Sequence, residues 1–373
     1  VRYPYVTTDS YFRSDNETLN KVWELARYTL EATSLDTYTD SNTRERRPYE
    51  ADGIIAATSR LLVQRDVLWP RHSHAWVLQY PTWPVEWKLL SAFLGFQDYW
   101  NTGRTDLMKS FFDIMVNRTF IGFLNESVGV LNTEGMGRHI VDWMPDGRES
   151  DETVQRHEFT ASNHMSVTNF LSVRGLSRIN EVVPNSKVQS QASSLNSSIY
   201  NLMWNRDRFC DGICDEVSNQ SLVMSNMFAL ATGLQPTSNL KEAWTILTSW
   251  GLEQMGDYGA FWYQLALSGS YYGGAQSYEV PGDGTEIVNA LTKCDTDSWC
   301  SGLEQDNLTT TRESWHDGTY SHAWGASPIV GVTFGILGVH PLSPTYLDFE
   351  VRPRLGSLRD VQGLVLTLRG MIN

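Results

Sequence analysis

The sequence predicts an all-α protein, and three observations lead to that prediction. Apolar residues recur at helical spacing along most of the 373 residues, beginning with Leu19, Val22 and Trp23. The connections between these apolar faces are rich in glycine, proline and aspartate, and strand patterns are confined to the C-terminal end. A closed ring of helical hairpins is one way to bury so many one-sided faces, although periodicity alone does not establish closure.

The individual elements follow from the same patterns. The first helix contains Leu19 to Leu30, and Ser14 with Glu17 ahead of it fits a capping box. Further helical patterns occupy residues 87–99, 105–116, 167–179, 192–203, 221–231, 240–247 and 329–339. Residues 347–353 and 363–369 predict two strands. We therefore expect a helical domain over residues 1–340 and the start of a β domain over residues 341–373.

Composition and charge exclude some classes of function. The net charge is −14, and no basic run is interleaved with aromatics, which argues against nucleic-acid binding. No apolar run approaches the roughly 20 residues of a membrane span. The chain contains 14 Trp and 16 Tyr, residues whose flat apolar faces suit stacking against sugars but also suit a large core. No His-Glu-x-x-His metal motif, glycine-rich phosphate loop or Gly-x-Ser-x-Gly nucleophile elbow is evident.

Two features favour an extracellular protein. The sequence has six Asn-x-Ser/Thr glycosylation acceptors, which are Asn16, Asn117, Asn125, Asn196, Asn219 and Asn307. Its four cysteines form two close couples, Cys210 with Cys214 and Cys294 with Cys300. Disulfides within each couple are the simplest arrangement, and a zinc site is disfavoured because neither spacing is typical of one.

The densest polar segment runs from Asp40 to Gly53 and lies between two apolar helices. It brings four carboxylates and three arginines together, and such a segment can be either a solvated loop or a site held at one rim. A carboxyl next to arginines is usually ionised, so a general acid here would need burial or a neighbouring carboxylate to raise its pKa.

A second polar segment runs from Thr309 to Pro328. Glu313 in this segment is followed by Trp315 and, after a glycine turn, by His322 and Trp324. The convergence of an acid, a histidine and tryptophans beside a turn favours a functional loop over a capped structural one.

Together these segments resemble glycoside hydrolase family 78, the α-L-rhamnosidases. The first match is Asp40, Arg44 and Glu45, followed by an aromatic residue, Tyr49, and by Asp52, which are five and eight positions after Arg44. The second match is the Glu-x-Trp at Glu313, which is followed by Ser-His-Ala-Trp. Val141-Asp142-Trp143 resembles the family's intervening Asp-Trp site, and the Phe-Glu-Val-Arg-Pro near the end resembles its transition into a C-terminal β-sandwich.

The resemblance implies an (α/α)6 barrel and inverting hydrolysis of terminal α-L-rhamnose from plant glycosides or pectic oligosaccharides. Glu45 would be the general acid and Glu313 the base that activates water, with the carboxyl groups roughly 6.5–9.5 Å apart. The substrate-binding residues that it implies are Asp40, Arg44, Tyr49, Asp52, Asp142, Trp143, Trp315, His322 and Trp324. No metal or other cofactor is implied.

The first segment also departs from the family pattern. Ser41-Asn42 stands where Cys-Pro is usual, and Glu50 is an extra carboxylate that could compete with Glu45 for the role of acid. Two alternatives therefore stay open. One is a related barrel acting on another sugar or as a polysaccharide lyase, and the other is a carbohydrate-binding scaffold without catalysis.

Overall fold

A computed structural model describes residues 10–142, 163–214, 223–235, 240–252, 255–270, 279–294 and 297–373. Its helices are α1 (Glu17–Thr33), α2 (Glu50–Val63), α3 (Leu68–Gln79), α4 (Val85–Leu89), α5 (Ser91–Thr102), α6 (Asp106–Ser110), α7 (Phe112–Arg118), α8 (Asn163–Val182), α9 (Ser186–Met203), α10 (Val223–Thr232), α11 (Leu240–Trp250), α12 (Asp257–Ser268), α13 (Thr285–Thr292), α14 (Trp299–Asp306) and α15 (Pro328–Val330). A π-helical turn, Gly331–Ile336, continues α15.

The helices form a closed ring. Each inner helix contacts the next in the order α2, α5, α8, α10, α12 and α15 with its π-helical turn, and α15 returns to α2. Helices α1, α3, α7, α9, α11 and α13 pack outside this ring, each against inner helices. The predicted all-α class and the (α/α)6 barrel are confirmed.

Sequence explains which helices lie inside. Every residue of α10 and α12 is buried, as expected for predominantly apolar helices that other helices enclose on all sides. The outer helix α1 instead buries one stripe that includes Leu19, Val22 and Trp23. The buried apolar residues of both layers belong to one continuous core.

Some predicted helix boundaries are wrong. Helix α1 is capped by Asn16, whose Oδ1 accepts a hydrogen bond from the Leu19 N–H at 3.0 Å, and Ser14 belongs to a strand. The predicted helix over residues 87–99 is two helices, α4 and α5, and the pattern over residues 329–339 ends in a strand. Helical periodicity cannot register such breaks because the apolar residues continue through them.

The described strands are β1 (Tyr11–Ser14), β2 (Trp204–Asn205), β3 (Arg208–Phe209), β4 (Val339–Pro341), β5 (Phe349–Val351), β6 (Val361–Thr367) and β7 (Gly370–Ile372). The two predicted C-terminal strands correspond to β5 and β6. Strand β6 pairs antiparallel with β1 and β7, while β4 pairs with β5 and β2 with β3. No sequence pattern predicted β1, β2, β3, β4 or β7, each of which is two to four residues long.

Both cysteine couples form disulfides, Cys210–Cys214 and Cys294–Cys300, with Cα–Cα distances of 5.6 and 4.8 Å. The predicted pairing is confirmed. None of the described helices combines the length and the apolar character needed to cross a bilayer.

Candidate active site

The two polar segments meet at one rim of the ring through Arg44. Its Nη1 donates to Glu45 Oε1 at 3.1 Å, and its Nη2 donates to both carboxylate oxygens of Glu313 at 2.7 Å. Arg44 and Glu313 are 269 positions apart in the chain. The fold therefore brings the two predicted carboxylates to opposite ends of a single guanidinium.

This charge cluster is open to solvent. The side chains of Arg44, Glu45 and Glu313 are 53%, 37% and 14% exposed. Because an ion pair at a surface contributes little to stability, a ligand can replace one of its contacts at low cost.

Tyr49 positions Glu45. Its hydroxyl donates to Glu45 Oε2 at 2.6 Å, and its backbone caps the start of α2. Its ring packs edge-on against Trp87 with the centroids 5.5 Å apart. Burial and the hydrogen bond to Glu45 raise the pKa of the Tyr49 hydroxyl, so it remains a donor at neutral pH.

Glu313 lies in a loop that is closed by backbone hydrogen bonds between its two arms. The Glu313 N–H donates to Thr319 O and the His322 N–H to Thr311 O, both at 3.1 Å. In return, the Thr319 N–H and Oγ1 donate to Glu313 Oε2 at 2.9 and 3.0 Å. Burial raises the pKa of Glu313, but the Thr319 N–H, the Thr319 hydroxyl and Arg44 favour the ionised form, and the pKa lies below its ordinary value.

Gly318 is required for this loop. Its φ of +83° is a left-handed conformation that side-chain-bearing residues rarely adopt. A Cβ at this position would lie 2.6 Å from Glu313 Cβ and 3.0 Å from its Oε2. The turn can therefore approach the carboxylate only because a glycine forms it.

Trp315 and Trp324 are buried supports of the loop. The Trp324 Nε1 donates to the Glu313 carbonyl at 3.0 Å, and the Trp315 Nε1 donates to the Met255 carbonyl at 2.8 Å. Their exposed fractions are only 3% and 4%. Trp324 also contacts the rings of Trp87 and Tyr258, with centroids 6.2 and 6.0 Å away.

Asp52 and His322 form a buried pair beside the two carboxylates. Asp52 Oδ1 lies 3.4 Å from His322 Nδ1, and neither atom has a hydrogen-bond partner among the described residues. Burial, with the nearby charge of Asp40, raises the pKa of Asp52. Burial also lowers the pKa of His322 to about 3, so the imidazole is neutral at neutral pH. This pair holds hydrogen-bonding capacity that a polar ligand could use.

Asp40 is also buried, but its oxygens have partners. Oδ1 accepts from the Arg47 N–H and Oδ2 from the Ser41 hydroxyl, both at 2.8 Å. These bonds fold the segment that carries Arg44 and Glu45. Burial, partly offset by those bonds, raises the pKa of Asp40.

The structure gives the extra carboxylate, Glu50, a different environment from Glu45. Glu50 lies in the first turn of α2 and is fully buried. Its Oε1 accepts from the Thr82 N–H at 3.1 Å, and its Oε2 is bonded to the Thr82 hydroxyl. Burial raises the pKa of Glu50, but its side chain has no exposed surface.

The predicted Asp-Trp site is described only in part. Asp142 is fully buried, and its oxygens accept from the Gly256 and Gly259 N–H groups at 2.7 and 3.0 Å. It thereby caps the N-terminus of α12, which has no cap from its own side chains. Trp143 lies outside the described residues.

No sequence pattern singled out Thr319 or Tyr258. The glycine turn ahead of His322 was a signal for Gly318, whereas nothing in the sequence placed the hydroxyl of Thr319 on Glu313. The described residues contain no group of three or more His, Cys, Asp or Glu side chains that could hold a metal ion.

A closed double ring of helices with two acidic rim loops is the arrangement expected of a six-hairpin glycosidase. Residues 7–250 match the family model described as the bacterial α-L-rhamnosidase six-hairpin glycosidase domain. The chain belongs to this family.

Solved structures show the same fold. A family 78 rhamnosidase of Bacillus sp. GL1 is 16% identical to this chain and superposes with a TM-score of 0.75. The match covers 99% of this chain and 40% of the Bacillus chain. The α-L-rhamnosidase from Aspergillus terreus is 14% identical with a TM-score of 0.71, covering 97% and 44%. The Streptomyces avermitilis enzyme, solved with L-rhamnose, is 13% identical with a TM-score of 0.69, covering 97% and 36%.

This chain therefore spans about two fifths of the length of these rhamnosidases. At such identities the likeness concerns the fold. A search of curated proteins finds no match.

Proposed function

We propose that this protein is an inverting, exo-acting glycoside hydrolase that releases terminal α-L-rhamnose from plant glycosides or pectic oligosaccharides. The observation that carries the proposal is the meeting of Glu45 and Glu313 at the two ends of the exposed Arg44 guanidinium. Membership of the rhamnosidase family and the fold shared with the L-rhamnose-bound Streptomyces enzyme support the choice of sugar.

Glu45 is the general acid in this proposal. A general acid must reach the glycosidic oxygen, and the Glu45 side chain is 37% exposed while that of Glu50 is inaccessible. Glu50 is also bonded to Thr82 through both oxygens, so it is unsuited to deliver a proton to a substrate.

Glu313 is the general base. It must be ionised to take a proton from water, and donors from Thr319 and Arg44 favour its ionised form. An inverting pair needs carboxyl groups about 6.5–9.5 Å apart to admit its water. In this proposal Arg44, which contacts both carboxylates, lies in that gap.

The sugar is held by the polar groups around this gap. Arg44 can exchange a carboxylate contact for a sugar hydroxyl because its side chain is half exposed. Asp52 and His322 have unpartnered Oδ1 and Nδ1 atoms, but both side chains are buried, so in this proposal a sugar reaches them only if Arg44 moves aside. Asp40, Asp142, Trp315 and Trp324 act by holding the segments that carry these groups, and Tyr49 orients the acid.

Hydrolysis of 4-nitrophenyl α-L-rhamnopyranoside tests the proposal, with the corresponding α-L-arabinoside and α-D-glucoside as controls. We expect nitrophenol release from the rhamnoside at least tenfold faster than from either control. Proton NMR during the first turnovers should show β-L-rhamnose before mutarotation. Initial release of the α-anomer would reject inversion, and no release of rhamnose would reject the rhamnosidase.

The proposal includes secretion and N-glycosylation. Two disulfides support an oxidising compartment. Asn117, Asn125 and Asn307 are exposed acceptors. Asn16 and Asn196 are partly buried, and Asn219 lies outside the described residues.

Residues 341–373 are proposed as the start of a β domain beside the barrel of residues 1–340. Val339, just before this boundary, forms a small apolar cluster with Tyr346 and Val365 that is separate from the barrel core, which supports a division near residue 340. Strand β1 contributes to the same sheet from the other end of the chain.

A further inference from the structure

An exposed tryptophan, Trp83, lies next to the acid side of the candidate site. Trp83 is 38% exposed, which is unusual for so large an apolar side chain. The Arg138 guanidinium lies over the Trp83 ring, 4.7 Å from the centroid. A cation over the ring fixes its plane and leaves the remaining surface of the ring for a flat apolar partner.

Contacts connect Trp83 to Glu45 without a gap. The Tyr49 hydroxyl bonds to Glu45, the Tyr49 ring packs against Trp87, and the ring centroids of Trp87 and Trp83 are 6.3 Å apart. Since the general acid protonates the bond to the leaving group, the surface on the Glu45 side of the site faces the leaving group rather than rhamnose.

The segment that carries Trp83 is firmly held. Trp83 lies between Pro81 and Pro84, whose rings restrict the backbone. Thr82 is bonded to Glu50 through both its N–H and its hydroxyl. Glu50 thus ties the Trp83 segment to the first turn of α2, the turn that Tyr49 caps.

The backbone of Arg138 is hydrogen-bonded to the segment that follows Trp83. The Val85 N–H donates to the Arg138 carbonyl at 3.0 Å. The ring and the cation above it are therefore positioned by the backbone on both sides, which is what a preorganised binding surface requires.

We propose that Trp83, supported by Arg138 and positioned by Glu50 through Thr82, forms a leaving-group subsite that takes a flat apolar face. A phenolic ring and the C–H face of a sugar ring both present such a face. This inference rests on the proposed function, because it uses Glu45 as the acid that defines the leaving-group side.

The test compares Trp83→Ala with Trp250→Ala, which removes an equally exposed tryptophan (39%) from the outer helix α11. We expect Trp83→Ala to raise the KM for 4-nitrophenyl α-L-rhamnopyranoside about three- to tenfold, the range for loss of one ring contact. The inhibition constant of free L-rhamnose should stay unchanged, because rhamnose binds on the other side of the acid. Trp83→Phe should recover part of the loss.

Two further ligands distinguish the two sources of a flat face. Phenyl β-D-glucopyranoside and methyl β-D-glucopyranoside are tested as competitive inhibitors. If Trp83→Ala raises the inhibition constant of the phenyl compound only, the subsite binds an aromatic ring. If Trp83→Ala raises the inhibition constants of both compounds, the subsite binds a sugar ring. Equal behaviour of Trp83→Ala and Trp250→Ala overturns the subsite, as does a parallel rise in the inhibition constant of L-rhamnose.

The subsite and the rhamnosidase can fail separately. If the wild-type protein hydrolyses no rhamnoside, ligand-observed NMR with phenyl β-D-glucopyranoside still reports on Trp83. Binding that disappears in Trp83→Ala but not in Trp250→Ala would retain the subsite while the proposed reaction is rejected, and binding unaffected by Trp83→Ala would reject the subsite.

Discussion

The two rim loops that carry the acidic residues surround their carboxylates with different hydrogen-bond donors and expose them to different extents. Glu45 receives one hydroxyl, from Tyr49, and one contact from Arg44, and it is the more exposed of the two. Glu313 receives a backbone N–H and a hydroxyl from Thr319 and a two-oxygen contact from Arg44, and it is 14% exposed.

This difference matches two different chemical tasks. A base works as a carboxylate, so fixed donors that favour ionisation are useful to it. An acid must gain and release a proton, so a donor that can rotate and an open approach suit it better. The two residues are of the same type, so it is their different environments that assign them different proposed roles.

The largest effect should come from Glu313→Gln. Replacing the base removes the proton acceptor for water while preserving size, so we expect kcat to fall about 10³- to 10⁴-fold, at the upper end for general acid–base catalysis. Steady-state hydrolysis of 4-nitrophenyl α-L-rhamnopyranoside measures this, with the exposed surface change Glu304→Gln as control. A loss below tenfold would remove Glu313 from the role of base.

Glu45→Gln should show a loss that depends on the leaving group. We expect about 10²- to 10³-fold lower kcat for a rhamnosyl disaccharide, and a smaller loss for 2,4-dinitrophenyl rhamnoside, whose leaving group needs little protonation. Glu50→Gln should show no such dependence, because Glu50 is buried against Thr82. If the dependence appears in Glu50→Gln instead, the two acids have been assigned the wrong way round.

Gly318→Ala tests whether the base loop depends on its turn. The added Cβ meets Glu313 and is strained by the positive φ, so we expect about 10- to 100-fold lower kcat/KM, as for a small displacement of a catalytic group. Gly251→Ala is the matched control, since Gly251 has a φ of +65° but nothing near its added Cβ. Equal activities of the two variants would show that Gly318 does not position Glu313.

The smallest effect is a shift in pH dependence. Activity falls on the acid side as Glu313 becomes protonated, and Thr319→Val removes one donor that lowers its pKa. The acid limb of kcat/KM should therefore move to higher pH. Thr310→Val is the control, because its hydroxyl bonds to Ser321. A limb that stays in place, or moves to lower pH, would contradict the assigned cause.

Much of the fold was predictable because helical periodicity is a local property. The apolar stripe of α1 and the apolar pattern of the inner helix α10 are visible in sequence, and the Cys couples were close enough to predict their pairing. Closure of the ring was not visible, since contacts such as α15 with α2 join distant segments. The short strand β1 was missed because four residues carry too little pattern to distinguish them from a loop.

The candidate site was predictable at the level of residue types but not of contacts. The acidic and aromatic segments around Glu45 and Glu313 stood out, and family resemblance ordered them. That Glu50 is buried against Thr82 depends on the chain returning after α3, which no local pattern specifies. The capping of α12 by Asp142 is equally non-local, because the two segments are 114 to 117 positions apart.

The pairing of β1 with β6 has a consequence for how the barrel assembles. Next to this ladder, the Arg359 N–H reaches Asp15 across 344 positions of chain. Bringing such distant segments together has a large entropic cost and gains nothing until both are formed. We expect the amides of β1 to gain protection against hydrogen exchange last during refolding and to lose it first as denaturant is added.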